Sequence, residues 1–317
     1  MSATPREHAV SGASAGQLSE LRALIARHAA RGERTEITGV LVSATPAPTQ
    51  PMASHTGTVM ALIAQGAKRL AIGDRTYEYR AGQYLVASVD LPITGHFSEA
   101  SPAEPALGFG LVIRPAVVAT MLLDAPARSP SAATGRVRGP GPPPALGVAV
   151  ASPELVDAVI RMLRLLDRPD DRQVLAPMIE REILWRLVTG PLGESVRQTS
   201  VADSSLTHVS RAVRWITDNY SQPFRVEQLA RMCGMSTSAF HRTFAAVTGL
   251  SPIQFQKQIR LQRSRLLLIA GSGDVASTGY RVGYGSASQF SRDYRRQFGL
   301  PPGQDAERLR ASTAFWT

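Results

Sequence analysis

The chain has 317 residues, enough for two domains each with its own core, and carries 35 Lys and Arg against 25 Asp and Glu. From position 207 onward there are 15 basic and 6 acidic residues, a net +9 of the total +10, so the positive charge belongs to the C-terminal third. The single cysteine, Cys233, excludes a disulfide framework or a Cys-rich metal site within the chain. The start, MSATPREHAVSGASAG, lacks a signal-peptide apolar core, and no apolar run nears the ~20 residues of a membrane span, so a soluble, cytoplasmic protein is expected.

Residues 1–15 are small and polar and are expected to be disordered. Leu18, Leu21, Leu24, Ile25 and His28 recur at helical spacing and predict an amphipathic helix over 18–30, with His28 at its surface or edge. The period then shortens. Strands are predicted at 37–42, 59–63, 69–72, 75–79, 83–86, 93–97 and 107–113, a density of turn signals that suggests an antiparallel sandwich or barrel over 16–124. A metal-binding barrel needs several inward His and a Glu, whereas His55 and His96 are far apart and Glu78 stands alone, so no metal is expected. Such a barrel instead takes a small molecule or nothing. Lys68, Tyr77, Tyr79 and Tyr84 are candidate polar anchors for it, with plain packing as the alternative for the tyrosines.

Residues 125–148 are dense in Pro, Gly, Ala and Ser and read as a loop, in which Arg136 and Arg138 are expected to be solvated, with phosphate contact as the alternative. A helical segment is expected at 149–197. Ser152-Pro153 opens one helix, and a second over 171–189 contains Pro177, which kinks it or marks its start. Their broad apolar sides can cover the barrel, pair two subunits, or both. A polar linker is expected at 198–206, and the remaining domain at 207–317.

That last domain is organised by a repeat. Ser238, Phe240, Arg242, Phe244, Gly249, Leu250 and Pro252 are echoed fifty positions later by Ser288, Phe290, Arg292, Tyr294, Gly299, Leu300 and Pro302. Each copy reads as a helix-turn-helix. In the first, a helix over 226–233 ends at the Gly234 turn, and Ser236 caps a second helix with Phe240, Phe244 and Val247 on one face. In the second, Gly283 supplies the turn, and Phe290, Tyr294 and Phe298 form the buried stripe. Between them, 251–270 reads as one helix roughly 30 Å long at ~1.5 Å per residue, close to the ~34 Å between successive major-groove faces of B-DNA.

These residues, with SPIQFQKQIRLQRSRLLL and VGYGSASQFSRDYRRQFGLPP, closely resemble the AraC/XylS family of transcription regulators over about 209–310. The segment QGAKRLAIGDRTYEYRAGQYLVASVDLPITG resembles the cupin-like N-terminal domain of one subgroup, with Gly66, Lys68, Gly73, Tyr79, Gly82, Tyr84, Leu91 and Pro92 in matching places. Together they imply an α+β protein: a cupin-like barrel or sandwich with flanking helices, then an all-α domain of two helix-turn-helix units joined by a long helix. Pro301-Pro302 and Asp305 depart from the Ser-Pro and aromatic of many members.

By that resemblance, Ser238, His241 and Arg242 read bases in the first unit, and Ala287, Ser288, Ser291 and Arg292 in the second, where Arg292 has a phosphate as its alternative partner. Backbone clamping falls to Lys257, Arg260, Arg295 and Arg296. The implied partners are double-stranded promoter DNA, a small-molecule effector of unknown identity, a second copy of the chain and, for an activator, RNA polymerase. No cofactor, membrane or catalytic role is expected. A ligand-blind barrel used for dimerisation and a cupin-type enzyme fused to a DNA-binding domain are the alternatives. Against the enzyme, GxGxxG does not occur, and Ser14 in GASAG fits G-x-S-x-G without the preceding strand that would make it a nucleophile. Cys233, on an apolar stripe, is read as packing rather than as a redox sensor.

Overall fold

Helix α1 (Ala15–Ala29) begins at Ser14, whose hydroxyl and the Gln17 side chain form a reciprocal capping box. Its stripe of Leu21, Leu24, Ile25 and His28 is buried. His28 is therefore not a surface residue: it is 4 % exposed and sits 3.7 Å from the Asp167 carboxylate. In this computed structural model the described residues are 12–124, 142–201, 204–271 and 273–313. Most of the stretch expected to be disordered, and most of the Pro/Gly-rich loop with Arg136 and Arg138, lie outside them.

Two antiparallel sheets follow. The first has β1 (Val40–Thr45), β8 (Ala106–Val112), β3 (Val59–Gln65), β6 (Gln83–Ala87) and β9 (Leu146–Val150), in that order. The second has β2 (Met52–His55), β7 (Pro92–Glu99), β4 (Ala67–Ile72) and β5 (Arg75–Arg80). All seven predicted strands occur. β2 and β9 were not foreseen, and β9 corrects the expectation of loop through 148: it pairs with β6 from Leu146↔Ala87 to Val150↔Gln83. A five-residue strand whose partner lies sixty residues away leaves little local trace.

The five-stranded sheet is covered on both faces, which is why β6 and β8 are nearly continuous apolar runs rather than alternating ones. On one face Met60, Leu62, Tyr84, Val86, Phe109 and Leu111 pack with α1, α3 (Pro153–Arg164) and α4 (Pro169–Thr189). Pro177 lies inside α4, which continues through it. These helices cover the sheet and still leave Val174 and Met178 of α4 and Leu123 of α2 (Pro115–Asp124) exposed. On the other face Leu85 and Ala87 meet Leu70, Ile72, Tyr79 and Ile93 across the barrel lumen.

After α5 (Gly193–Gln198), the C-terminal half comprises α6 (Ser205–Asp218), α7 (Val226–Met232), α8 (Thr237–Thr248), α9 (Pro252–Ile269), α10 (Val275–Arg281), α11 (Ala287–Phe298) and α12 (Pro302–Thr313). Two separate cores were expected, but the first helix-turn-helix shares its core with the barrel. Phe240, Phe244, Phe255 and Ile259 belong to the same buried cluster as Leu70, Tyr79 and Ile93. Polar contacts reinforce it: Gln262 Nε2 donates to the Ile93 carbonyl at 3.0 Å, and the Ala145 N–H to the Val247 carbonyl at 3.0 Å. The second unit keeps its own core of Leu261, Leu268, Val282, Tyr284, Phe290 and Tyr294.

Asp305, where the sequence departs from the family pattern, is fully buried and anchors α12. Its carboxylate accepts from Arg265 Nε at 2.7 Å and Nη2 at 3.2 Å, from the Tyr294 hydroxyl at 2.9 Å and from Arg308 Nη2 at 2.9 Å.

Candidate nucleic-acid interface

Each unit turns sharply between its two helices at a glycine with left-handed backbone, Gly234 (φ +67°) and Gly283 (φ +94°), conformations that L side chains disfavour. The Ser236 hydroxyl then accepts from the Ala239 N–H, and the Ser286 hydroxyl from the Gln289 N–H, so both second helices start at a side-chain cap. Phe240 and Phe244 (ring centroids 5.5 Å apart) hold α8 down, and Phe290 and Tyr294 (5.6 Å apart) hold α11. Both pairs are fully buried.

Fixing those stripes fixes what faces solvent. Ser238, His241 and Arg242 on α8 are exposed together, one helical turn apart. On α11 Ser288 and Arg292 are exposed, while Ala287 and Ser291 are half-buried beside them. Among the described residues the guanidinium groups of Arg242, Arg292 and Arg295 form no ion pair. Helix α9, closed at its start by a Ser251/Gln254 capping box, is 18 residues long, about 27 Å at ~1.5 Å per residue. It contacts both α8 and α11.

The four residues assigned to the DNA backbone divide. Arg295 is exposed on α11. Lys257 Nζ lies 2.7 Å from Asp293 Oδ2, and Arg296 Nη2 2.5 Å from Asp293 Oδ1, so one buried carboxylate holds both cations. Arg260 corrects the sequence expectation, because four of its five N–H donors are already taken by backbone carbonyls. Nε donates to the Tyr220 carbonyl at 2.7 Å, Nη1 to Gly283 at 2.8 Å, and Nη2 to Ser221 and Gln222 at 3.3 Å each. Burial lowers its pKa. A guanidinium so occupied has no fork left for a phosphate.

In the barrel, Lys68, Tyr77 and Tyr79 share the lumen face, because Lys68 pairs with Tyr79 and Leu70 with Tyr77 across the β4–β5 ladder. Lys68 Nζ sits 4.9 Å above the Phe97 ring, and burial lowers its pKa. Phe97, with half-buried Val59, Ala61 and Val148, completes this lining; the sequence reading missed these four, although Phe97 is the β7 partner of Lys68. Tyr84 corrects the fourth anchor. It faces the helices on the opposite side of its sheet, its hydroxyl near Gly190, and burial pushes its pKa up to about 12. Among the described residues no three His, Cys, Asp or Glu side chains are grouped to hold a metal; His55 pairs with Asp90, and His96 sits on the outer face opposite Arg69. Cys233 is buried and donates to the His208 carbonyl, its thiol pKa raised by burial.

Residues 36–195, half of the chain, match the family model of the AraC-type transcriptional regulator N-terminus, and residues 229–308 match that of a helix-turn-helix domain. The chain belongs to the AraC family of transcriptional regulators. Among similar proteins, the virulence regulon transcriptional activator VirF of Yersinia enterocolitica is 28% identical over 158 residues, 48% of this chain and 56% of VirF. The regulator ArgR of Pseudomonas aeruginosa is 26% identical over 156 residues, 49% of this chain and 47% of ArgR. The chain thus spans about half the length of the curated relatives it matches. The AraC-family fold also resembles apo ToxT from Vibrio cholerae, with a TM-score of 0.52 at 10% identity, covering 86% of this chain and 98% of that one. No helix among the described residues is long and apolar enough to cross a membrane.

Proposed function

We propose that this AraC-family chain is a sequence-specific DNA-binding regulator in which α8 and α11 enter successive major-groove faces of one promoter site. The observation that carries this reading is the pair of capped helices packed against one rod, with Ser238, His241, Arg242, Ser288 and Arg292 turned outward in the C-terminal third that bears a net +9. Serine, histidine and arginine at the start of such helices match base-edge donors and acceptors, and clustered arginine draws phosphate. Ala287 and Ser291 flank the second reading face and give it apolar or short polar contacts, so the first unit discriminates more sharply. Footprinting on the promoters flanking its gene tests the reading: two protected patches about one helical turn apart are expected, and uniform non-specific protection would end it.

The barrel lumen is the proposed effector site. Lys68, Tyr77 and Tyr79 stand among Phe97, Val59 and Val148, an apolar lining with a few polar anchors. ToxT has been crystallised with an unsaturated fatty acid bound, which supports a small-molecule role for this architecture. Because the first reading unit shares the barrel's core, lumen occupancy would be felt by α8. Exposed Val174, Met178 and Leu123 suit pairing with a second copy. Contact with RNA polymerase would follow for an activator; the protein would act in the cytoplasm, without catalytic activity.

Arg242→Ala is expected to cost about 1–3 kcal/mol at the cognate site and to relax preference at a single base position. Competition binding with point-mutated duplexes reads this directly, and unchanged preference would remove Arg242 from the base-reading set. Arg295→Ala should instead weaken all sequences alike and flatten the salt slope by about 0.9, measured by titrating affinity against salt.

A further inference from the structure

The α6–α7 loop of the first unit and the helix–helix turn of the second meet above the middle of α9. They come so close that a Cβ at Gly283 would lie 2.1 Å from the Ser221 carbonyl oxygen, so only glycine fits there. At the junction sits Arg260, the ninth residue of the eighteen in α9. Its Nε and Nη2 hold three successive carbonyls of the first unit, Tyr220, Ser221 and Gln222, while its Nη1 holds Gly283 of the second. Gln256, one turn earlier on α9, holds Tyr220 and Gln222 but nothing in the second unit. Apart from this junction and Tyr220, which packs against both, the two units rest on different cores, the first on the barrel with Phe255 and Ile259 of α9, the second on Leu261 and Leu268 of α9 with α10, α11 and α12.

We propose that Arg260 is the positioning residue that fixes the separation and angle of the two reading helices, and so sets the half-site spacing the protein selects. This rests on the reading that α8 and α11 both enter DNA. Packing on the two ends of α9 fixes the distance between the units along its axis and their coarse orientation, and the loops that meet beside its middle set the remaining rotation of one unit against the other. A planar guanidinium with donors on two edges can bind opposite loops at once in one geometry, whereas a lysine ammonium keeps the charge but concentrates its donors at one point. Two heads held in one geometry also bind as a bivalent unit, and that gain vanishes when the geometry no longer fits.

The test uses the full chain, wild type and Arg260→Lys. Affinity is measured on duplexes carrying both half-sites at native spacing, with one or two base pairs inserted or removed, and with the first half-site alone. With Arg260→Lys, affinity at native spacing should fall by about tenfold or more, since avidity is lost. The spacing profile should flatten, while the lone half-site affinity and its salt slope stay as in the wild type. A wild-type spacing profile would overturn the proposal. So would an equal loss on the lone half-site with a slope reduced by about 0.9, which would return Arg260 to the phosphates. A second readout needs no DNA: spin labels at Ala246→Cys on α8 and Gln297→Cys on α11 should give a narrow distance distribution that broadens in Arg260→Lys. An unchanged distribution refutes the positioning role even if DNA reading itself proves wrong.

Discussion

Asp305→Ala is expected to destabilise the C-terminal half by about 3–5 kcal/mol, because it strips the counter-charge from an arginine that cannot reach water. Arg265, its bidentate partner, is 6 % exposed and lies over the Phe298 ring at 4.5 Å, so its guanidinium would remain buried with only the Pro51 carbonyl at 3.4 Å to accept from it. Tyr294, at the centre of the second unit's core, would lose its hydroxyl acceptor in the same step. Denaturant unfolding measures the loss, and a change within about 0.5 kcal/mol, the range of an ordinary surface substitution, would show that the network contributes little. Acid should reveal the same group. Burial raises the Asp305 pKa, but hydrogen bonds from Arg265, Arg308 and Tyr294 outweigh it and hold the carboxyl below its usual value. A folded-state pKa below the unfolded one stabilises fully at neutral pH, and the contribution is lost as pH falls from the unfolded value of ~3.9 through the folded one. Wild type should therefore lose more stability between pH 7 and 3 than Asp305→Ala.

Phe244→Ala should cost a similar ~3–5 kcal/mol, and its reach is the more informative part. The ring is fully buried, stacked edge-on with Phe255 at 5.5 Å and tilted against Phe240 at 5.5 Å. Because this cluster continues into Leu70, Ile72, Tyr79 and Ile93 of the barrel, the cavity opens between the first helix-turn-helix unit and the sheet. Amide exchange should accelerate in α8 and also in β4 and β7. Faster exchange confined to α8 would mean the two parts are energetically separate despite their contact, and that the barrel has no packed route to the reading helix.

Substitutions in the two units should therefore propagate differently. Damage to the first should spread to the lumen lined by Lys68 and Phe97; damage to the second should stay with the C-terminal end of α9 and with α10 to α12, where Arg265 and Asp305 close the core. A perturbation of the barrel lumen should accordingly reach the first helix-turn-helix unit before the second.

What residues a few positions apart decide was legible in the chain. The duplicated Ser–Phe–Arg–aromatic pattern, the serine caps and the apolar spacings fix helices, turns and exposed faces, because helix geometry ties i to i+3 and i+4 whatever surrounds it. Hence α8 and α11 expose Ser238, Arg242, Ser288 and Arg292 as the repeat implied. Tertiary structure decided the rest. Tyr84 turned from the lumen because strand parity is set by register against β3 and β9, and β9 itself is visible only through that pairing. Arg260 left the phosphates because carbonyls some twenty to forty residues away in sequence occupy its donors, and the first unit's core merged with the barrel's because burial joins surfaces that sequence keeps apart.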